Sequence, residues 1–123
     1  DMIDVNKRAL HLSKRNIKEN RCTNINVFLS DCYQNVTRKY KTIITNPPIR
    51  AGKKIVYDIL LNARSHLEPD GVMYLVIRKE QGAKSTISDL KKYYDVSIVN
   101  KSKGFYIISA KMCWLVEEFM LII

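Results

Sequence analysis

The 123-residue chain has few cysteines, and their arrangement argues against two common ways of stabilising a small domain. Cys22, Cys32 and Cys113 are odd in number, and the sequence has no Cys-x-x-Cys pair and no histidines at metal-ligand spacing. The pattern therefore disfavours a disulfide framework and a zinc site. We expect a reduced, cytoplasmic protein that binds no metal.

Acidic residues are scarce relative to basic ones. Twelve Asp and Glu oppose 21 Lys and Arg, which gives a net charge of +9 and a pI near 9.6. A field of this sign attracts polyanions such as nucleic acids. Net charge alone fits a basic surface without a partner equally well, so the positions of the cations must decide between the two.

Long hydrophobic runs are missing as well. The apolar stretch W-L-V-E-E-F-M-L-I-I at the C-terminus contains Glu117 and Glu118, and it has about half the length that crosses a bilayer. The opening D-M-I-D-V-N-K-R-A-L is typical of neither a signal peptide nor a transit peptide. With 46% hydrophobic and 27% charged residues, the chain is typical of one soluble globular domain without membrane association.

Alternating apolar and polar stretches predict a sheet with helical crossovers. The predicted order is strand, helix, strand, strand, helix, strand, helix, strand, strand, with E-P-D-G as a turn before the fourth strand. The strands are expected near 2–5, 24–29, 40–45, 72–77, 96–99 and 105–110, and the helices near 7–20, 53–66 and 86–94. This order indicates an α/β fold whose sheet is mostly parallel, with a C-terminal antiparallel hairpin.

Polar side chains follow three of the predicted strands, at Asp4, Asp31 and Asn46. Ligands of α/β sheets gather at the carboxyl ends of the strands. Asp4 is placed to accept hydrogen bonds from vicinal ribose hydroxyls, or merely to cap the following helix. Asp31 is placed to accept from the exocyclic amine of an adenine, or merely to cap its loop. Taken singly, neither aspartate decides between a binding site and a cap.

The stretch I-I-T-N-P-P-I-R-A-G-K-K places Asn46, Pro47 and Pro48 directly after a strand. The lone pair of an exocyclic amine on a planar base is delocalised, so the amine is a poor nucleophile. Two acceptors aimed at its hydrogens, the Asn46 carboxamide oxygen and the Pro47 carbonyl, would favour a more reactive geometry. A strand-terminating turn is the common alternative for Asn-Pro-Pro.

Together, M-I-D-V-N-K-R-A-L, S-D-C-Y, I-I-T-N-P-P-I-R-A-G-K and K-E-Q-G-A-K-S resemble the class I S-adenosylmethionine-dependent methyltransferases. The resemblance is to the small-subunit ribosomal RNA methyltransferase C (RsmC-like) family, and it covers residues 1–111. It implies a Rossmann-like sheet, S-adenosyl-L-methionine as cofactor, and methyl transfer to the N2 amine of a guanine in 16S rRNA. Ribosomal RNA or the small ribosomal subunit is the implied partner.

The resemblance also implies roles for particular residues. It assigns cofactor binding to Asp4, Val5, Asp31, Cys32 and Asn46. It assigns the catalytic loop to Asn46, Pro47, Pro48 and Ile49. Enzymes of the wider group that act on adenine N6 or on protein glutamine usually carry an aromatic residue at the fourth loop position, whereas Ile49 is similar to the guanine-N2 group.

Cations follow the Asn-Pro-Pro loop at Arg50, Lys53 and Lys54. A helix is predicted to begin here, and cations at a helix N-terminus oppose the macrodipole. Their position therefore favours an external anion, such as RNA phosphates beside a flipped-out nucleotide. Lys79 and Lys84 are expected to extend this RNA-binding rim.

The sequence departs from the family at both ends. The family begins with a strand and a D-x-G-x-G-x-G loop, but the four glycines here are Gly52, Gly71, Gly82 and Gly104. We expect residues 1–111 to be the C-terminal part of a methyltransferase domain, whose sheet either splits or re-pairs. Residues 112–123 form an apolar extension of unassigned role. An exposed sheet edge or this extension would favour self-association.

Two other functions remain open at this point. A noncatalytic RNA-binding module derived from a methyltransferase would explain the basic rim and the missing glycine loop. A protein-glutamine methyltransferase would explain Asn-Pro-Pro, although Ile49 and the positive charge fit it less well. The sequence leaves open which nucleotide is modified, and whether naked RNA or an assembled subunit is the substrate.

Overall fold

The computed structural model describes residues 1–112. They form two compact units, Asp1–Thr37 and the part that begins at Arg38. The strands are β1 (Met2–Asp4), β2 (Val27–Leu29), β3 (Tyr40–Thr45), β4 (Leu67–Arg78), β5 (Tyr94–Ser102) and β6 (Phe105–Met112). The α-helices are α1 (Lys7–Glu19), α2 (Lys53–Asn62) and α3 (Ala83–Leu90), and short 3-10 turns cover Ile49–Ala51, Ala63–His66 and Lys79–Gln81.

The first unit consists of α1 and the parallel pair β1 and β2. Helix α1 begins at Lys7, as predicted, and Asn6 caps it: the Asn6 side-chain oxygen accepts from the backbone N–H groups of Arg8 and Ala9 at 2.9 and 3.3 Å. Leu10 on the helix, Val27 on β2 and Val36 in the loop after β2 are the buried apolar side chains of this unit. The fold therefore fixes where β1 ends and α1 begins, which is where Asp4 lies.

The second unit contains a four-stranded sheet in the order β3-β4-β6-β5. β3 and β4 are parallel, and β6 runs antiparallel to both β4 and β5. Three strands therefore share one direction, and the reversed strand lies next to the edge, as the sequence predicted. The α/β fold class is confirmed.

The core of the second unit lies on one face of this sheet. Alternate residues of β4, Met73, Leu75 and Ile77, are almost fully buried, and Leu60 of α2 and Leu90 of α3 are equally inaccessible. Burying one such side chain contributes about 1.5–3 kcal/mol. Because every second side chain of β4 is buried, one face of the sheet forms the core with α2 and α3. The ends of the strands are not part of this core.

Some predicted boundaries were wrong. The E-P-D-G turn lies inside β4, where the partner register moves from Tyr40↔Leu67 to Thr42↔Val72. The bend is tight, because a Cβ at Gly71 would lie 2.9 Å from the Glu68 carbonyl oxygen. Helix α3 begins at Ala83, three residues before the predicted start, after Gly82 in the left-handed conformation.

The strands form two separate sheets, β1-β2 and β3-β4-β6-β5. Of the two predicted alternatives, a split sheet or a re-paired sheet, the structure therefore shows the split sheet. The predicted apolar extension at 112–123 lies, apart from Met112 at the end of β6, outside the described residues.

Candidate functional site

In the first unit, Asp4 and Asp31 lie at the same edge of the β1-β2 pair. Asp4 pairs with Leu29, and the Ser30 backbone N–H donates to the Asp4 carbonyl oxygen at 3.1 Å. Both aspartates are exposed. One Asp4 carboxylate oxygen accepts from the Asn6 N–H at 2.8 Å, and its remaining acceptor capacity is available to a ligand. Asp4 is therefore both a cap and a candidate ligand.

The loop after β2 is held by side-chain hydrogen bonds. The buried Ser30 hydroxyl donates to the Cys32 carbonyl oxygen at 2.8 Å and accepts from the Asn35 N–H at 3.0 Å. Cys32 has φ +50, in the left-handed region that costs a residue with a Cβ. This geometry presents Asp31 and the Cys32 backbone at the end of β2. Val5, just past β1, is 65% exposed at the same strand end.

In the second unit, Asn46–Ile49 leave the carboxyl end of β3. The Ile49 backbone N–H donates to the Pro47 carbonyl oxygen at 2.9 Å, and Pro48 between them has φ −77 and ψ 80. These values are those of an inverse γ-turn, for which the proline ring fixes φ in advance. Pro47 is buried, whereas Asn46 and Pro48 are exposed and Ile49 is half-buried. The loop is therefore preorganised by Pro48.

Two acceptors of this loop have hydrogen-bonding capacity that the described residues do not use. A carbonyl oxygen has two lone pairs, and the γ-turn uses one of those on Pro47. Within residues 1–112 the structure records no hydrogen bond made by the Asn46 side chain, which is exposed. An Asn carboxamide oxygen and a backbone carbonyl can together accept both hydrogens of one amine.

The cations after the loop lie where they were predicted. Arg50 is in the 3-10 turn, and Lys53 and Lys54 are the first two residues of α2, whose first turn contains no acidic residue. All three are exposed. The Lys53 ammonium lies 5.2 Å from the centroid of the Tyr57 ring, so a cation–π contact orients it.

The Tyr57 hydroxyl in turn donates a hydrogen bond to the Asp89 carboxylate, which joins α2 to α3. Burial and then the Asp89 contact raise the pKa of Tyr57. The Tyr57 hydrogen bond, followed by Lys92 and Lys53, lowers the pKa of Asp89 against its desolvation. The lowered pKa favours the ionised form of Asp89, whose hydrogen bond with Tyr57 links α2 to α3.

Lys79 lies in the 3-10 turn after β4, and Lys84 is the second residue of α3; both are exposed. Four further residues at this end of the sheet were not among the predicted site residues. They are Arg78, Lys101, Lys103 and Phe105. The sequence signal for three of them is the two lysines and the aromatic residue in N-K-S-K-G-F, which connects the last two predicted strands.

The structure brings the predicted site residues together in two groups. Asp4, Val5, Asp31 and Cys32 share the strand ends of the first unit, and Asn46–Ile49 lie beside Arg50, Lys53 and Lys54 in the second. Among residues 1–112, no three His, Cys, Asp or Glu side chains are arranged to hold a metal ion. No helix in that part of the chain is long and apolar enough to cross a membrane.

Comparison with known proteins gives a family match. The profile of the methyltransferase small domain family matches residues 1–109. The uncharacterized protein YbxB of Bacillus subtilis is 48% identical over 89% of this chain and 56% of its own length. The chain therefore spans about half the length of this curated relative.

Two more distant relatives have names that state an activity. A Methanocaldococcus jannaschii protein, provisionally named a protein N5-glutamine methyltransferase, is 29% identical over 98% of this chain and 66% of its own length. The ribosomal RNA small subunit methyltransferase C of Psychromonas ingrahamii is 26% identical over 89% of this chain and 32% of its own length.

Solved structures show the same fold. A T. thermophilus 16S rRNA N2-guanine methyltransferase (RsmC), in complex with AdoMet and guanosine, superposes with a TM-score of 0.74 at 16% identity. The match covers 90% of this chain and 30% of that one. A methyltransferase from Pyrococcus furiosus gives a TM-score of 0.72 at 22% identity, over 90% of this chain and 61% of that one. At these identities the likeness establishes a class I methyltransferase fold.

Proposed function

The chain belongs to the methyltransferase small domain family, and from this premise we propose that the protein is an S-adenosylmethionine-dependent RNA methyltransferase. Its proposed acceptor is the exocyclic N2 amine of a guanine in 16S rRNA, presented as free RNA or in the small ribosomal subunit. A cytoplasmic location follows from this acceptor.

The residues of the first unit fit the adenosine part of the cofactor. Asp4 and Asp31 offer exposed carboxylates at adjacent strand ends, which suits the vicinal hydroxyls of a ribose and the amine of an adenine. Cys32 and Val5 would line the same strand ends. When bound, S-adenosylmethionine supplies a methyl group already activated by its positive sulfur. The protein then needs no metal and no strong base.

The observation that carries the proposal is the pair of acceptors with unused hydrogen-bonding capacity on Asn46 and Pro47. The γ-turn at Pro48 fixes the Pro47 carbonyl, and the Asn46 carboxamide is exposed beside it. Together they would hold the two hydrogens of a guanine N2 amine and leave its lone pair free. A protein that only bound RNA would need no such pair.

The RNA acceptor is favoured by charge and by Ile49. The net charge of +9 and the exposed Arg50, Lys53 and Lys54 beside the loop suit a phosphate backbone. Ile49 is aliphatic where the resemblance leads us to expect an aromatic residue in enzymes that act on adenine or glutamine.

A protein-glutamine methyltransferase is the second candidate. The Methanocaldococcus jannaschii relative favours it, because its 29% identity extends over 98% of this chain. A glutamine side chain also presents an amide nitrogen with two hydrogens, which Asn46 and Pro47 could accept equally well. Only the acceptor therefore separates the two candidates.

The test uses labelled S-adenosylmethionine and a choice of acceptors. The protein is incubated with 16S rRNA or small subunits from cells that lack its gene, and separately with protein extracts from the same cells. We expect label in N2-methylguanosine after nuclease digestion and mass spectrometry. Label in methylglutamine would transfer the assignment to the second candidate.

Asn46→Ala tests the catalytic loop, with Asn24→Ala as a matched control at an exposed position of the first unit. Loss of one positioned acceptor should reduce methyl transfer roughly 100- to 1000-fold, while RNA affinity stays nearly constant. Asn24→Ala should change neither quantity. Equal losses of transfer and affinity in Asn46→Ala would contradict the catalytic role and favour an RNA-binding module.

A further inference from the structure

The β5-β6 hairpin places a second basic and aromatic surface at the same end of the sheet as Asn46. We define the hairpin patch as Arg78, Lys79, Lys101, Lys103 and Phe105. β3 and β4 are parallel with Thr45 opposite Leu75, so Asn46 and Arg78 lie past the same carboxyl edge. Thr45, which directly precedes Asn46, lies two strand spacings and three residue rises from Phe105, a separation of roughly 14 Å.

The centre of the patch is a cation–π pair. Arg78 and Phe105 are direct partners in the β4-β6 ladder, and the Arg78 guanidinium lies 4.7 Å from the centroid of the Phe105 ring. The Arg78 side chain is 51% exposed although Glu80 accepts from it at 3.3 Å. Half of the Arg78 side chain is thus still accessible, and an exposed guanidinium can stack on a planar group such as a base.

The backbone around the pair is fixed. The Arg78 N–H donates to the Gln81 side-chain oxygen at 3.2 Å, and the Lys79 N–H donates to the Gly104 carbonyl oxygen at 2.9 Å. These bonds tie the end of β4 to the tip of the hairpin. The backbone that carries Arg78 and Phe105 is therefore held by hydrogen bonds of the sheet and the hairpin tip.

The hairpin tip carries an unexpected cation. Ser102 pairs with Phe105, so Lys103 and Gly104 form a two-residue turn, with φ +50 and +82. Asn-Gly is the favoured pair for such a turn, and a lysine there is strained. A strained residue that displays a charge suggests a function for that charge. Lys101 and Lys79 add further exposed cations, and Glu80 is the only carboxylate of the described residues in contact with Arg78.

We infer that the hairpin patch binds an unpaired stretch of RNA next to the target nucleotide, with a base stacked on Arg78 and phosphates on Lys103 and Lys101. This inference rests on the proposed function and extends it to a second contact. The planar guanidinium suits any base, because every base has a π face. The lysines suit the backbone that joins it to the target.

Three variants separate stacking from charge. Arg78→Lys keeps the charge and removes the plane. Lys103→Asn removes one charge and installs the favoured turn residue. Lys91→Asn is the matched control, because Lys91 is exposed and precedes Tyr94, at the opposite end of β5. Binding is measured by fluorescence anisotropy with a short labelled single-stranded RNA that contains guanosine, over a series of salt concentrations.

We expect Arg78→Lys to weaken RNA binding about tenfold with no change in the salt dependence. Lys103→Asn should reduce the slope of log affinity against log salt by about 0.7, while its Tm equals or exceeds that of the wild type. Lys91→Asn should bind as the wild type does. Wild-type affinity in Arg78→Lys, or equal effects of Lys103→Asn and Lys91→Asn, would overturn the inference.

Methyl transfer to the same RNA, measured in parallel, distinguishes this inference from the proposed function. If the wild type methylates RNA and the patch variants bind like the wild type, only the hairpin patch is wrong. If the wild type binds RNA through the patch without transferring methyl groups, only the proposed reaction is wrong. If the wild type binds no RNA, the patch inference fails whatever the methyl acceptor is.

Discussion

The Tyr94 hydroxyl donates a hydrogen bond of 2.6 Å to the Leu60 carbonyl oxygen, and it thereby ties the start of β5 to the last turns of α2. Tyr94 is only 4% exposed. We expect Tyr94→Phe to lower the free energy of unfolding by about 1–2 kcal/mol, because the buried acceptor loses its donor. Chemical denaturation checks this value, and an unchanged midpoint would contradict it.

The same tyrosine predicts a loss of stability at alkaline pH. Burial raises the pKa of Tyr94 to about 12 from its ordinary 10.0, against the opposing effect of Arg64. The unfolded chain ionises first, so Tyr94 stabilises the fold fully below pH 10.0 and loses this contribution as the pH rises toward 12. Thermal melts across this range should fall less steeply in Tyr94→Phe. The melting temperature of Tyr94→Phe should still fall somewhat with rising pH, because burial also raises the pKa of Tyr57.

The Tyr57–Asp89 contact predicts an effect at acid pH. The Tyr57 hydrogen bond lowers the pKa of Asp89, so the stabilisation is present above the unfolded pKa and is lost as the pH falls through the folded one. Tyr57→Phe should therefore reduce the difference between melting temperatures at neutral pH and near pH 2–3. Asp89→Asn should reduce it in the same way. Parallel acid profiles of wild type and variants would argue against this linkage.

Gly71 predicts a steric effect in the bend of β4. An added Cβ would lie 2.9 Å from the Glu68 carbonyl oxygen and 3.0 Å from a Leu67 methyl carbon. We expect Gly71→Ala to destabilise the second unit by about 1–3 kcal/mol, measured by urea denaturation. Amide exchange should accelerate first near Tyr40 and Thr42, whose β4 partners flank the bend. Wild-type stability would show that the bend relaxes at no cost.

Replacing Pro48 should lower methyl transfer without lowering the stability of the fold. Its φ of −77 and ψ of 80 allow the Ile49 N–H to reach the Pro47 carbonyl. Alanine can adopt this turn, but the free loop then samples other conformations. Under the proposed function, Pro48→Ala should lower methyl transfer roughly two- to fivefold, with Tm almost unchanged. A loss of Tm in proportion to activity would indicate a folding defect instead.

The positions of the candidate site residues in the fold could be predicted because their signals are local in sequence. Asn6 caps α1 and the prolines end β3 because side-chain acceptors and missing N–H groups act within a few residues. The cations at the start of α2 were predictable for the same reason. Local chemistry therefore placed Asp4, Asp31 and Asn46 at strand ends, where the structure has them.

The missed features depend on pairs that are distant in sequence or on a choice among allowed conformations. Arg78 meets Phe105 only through the antiparallel register of β4 and β6, which no local pattern specifies. A Pro-Pro pair permits an extended conformation as well as a γ-turn, so the geometry of Pro48 could not be read from the sequence. The E-P-D-G turn was recognised by its chemistry, but the ladder continues on both sides of it.

The position of β6 between β4 and β5 also has a consequence for synthesis of the chain on the ribosome. β4 is complete at Arg78, but its second hydrogen-bonding edge has no partner until Phe105–Met112 have been made. Domains fold as units while the chain emerges from its N-terminus. The β4 edge is therefore open during elongation through α3 and β5, and the sheet of the second unit closes only when its last described strand is inserted.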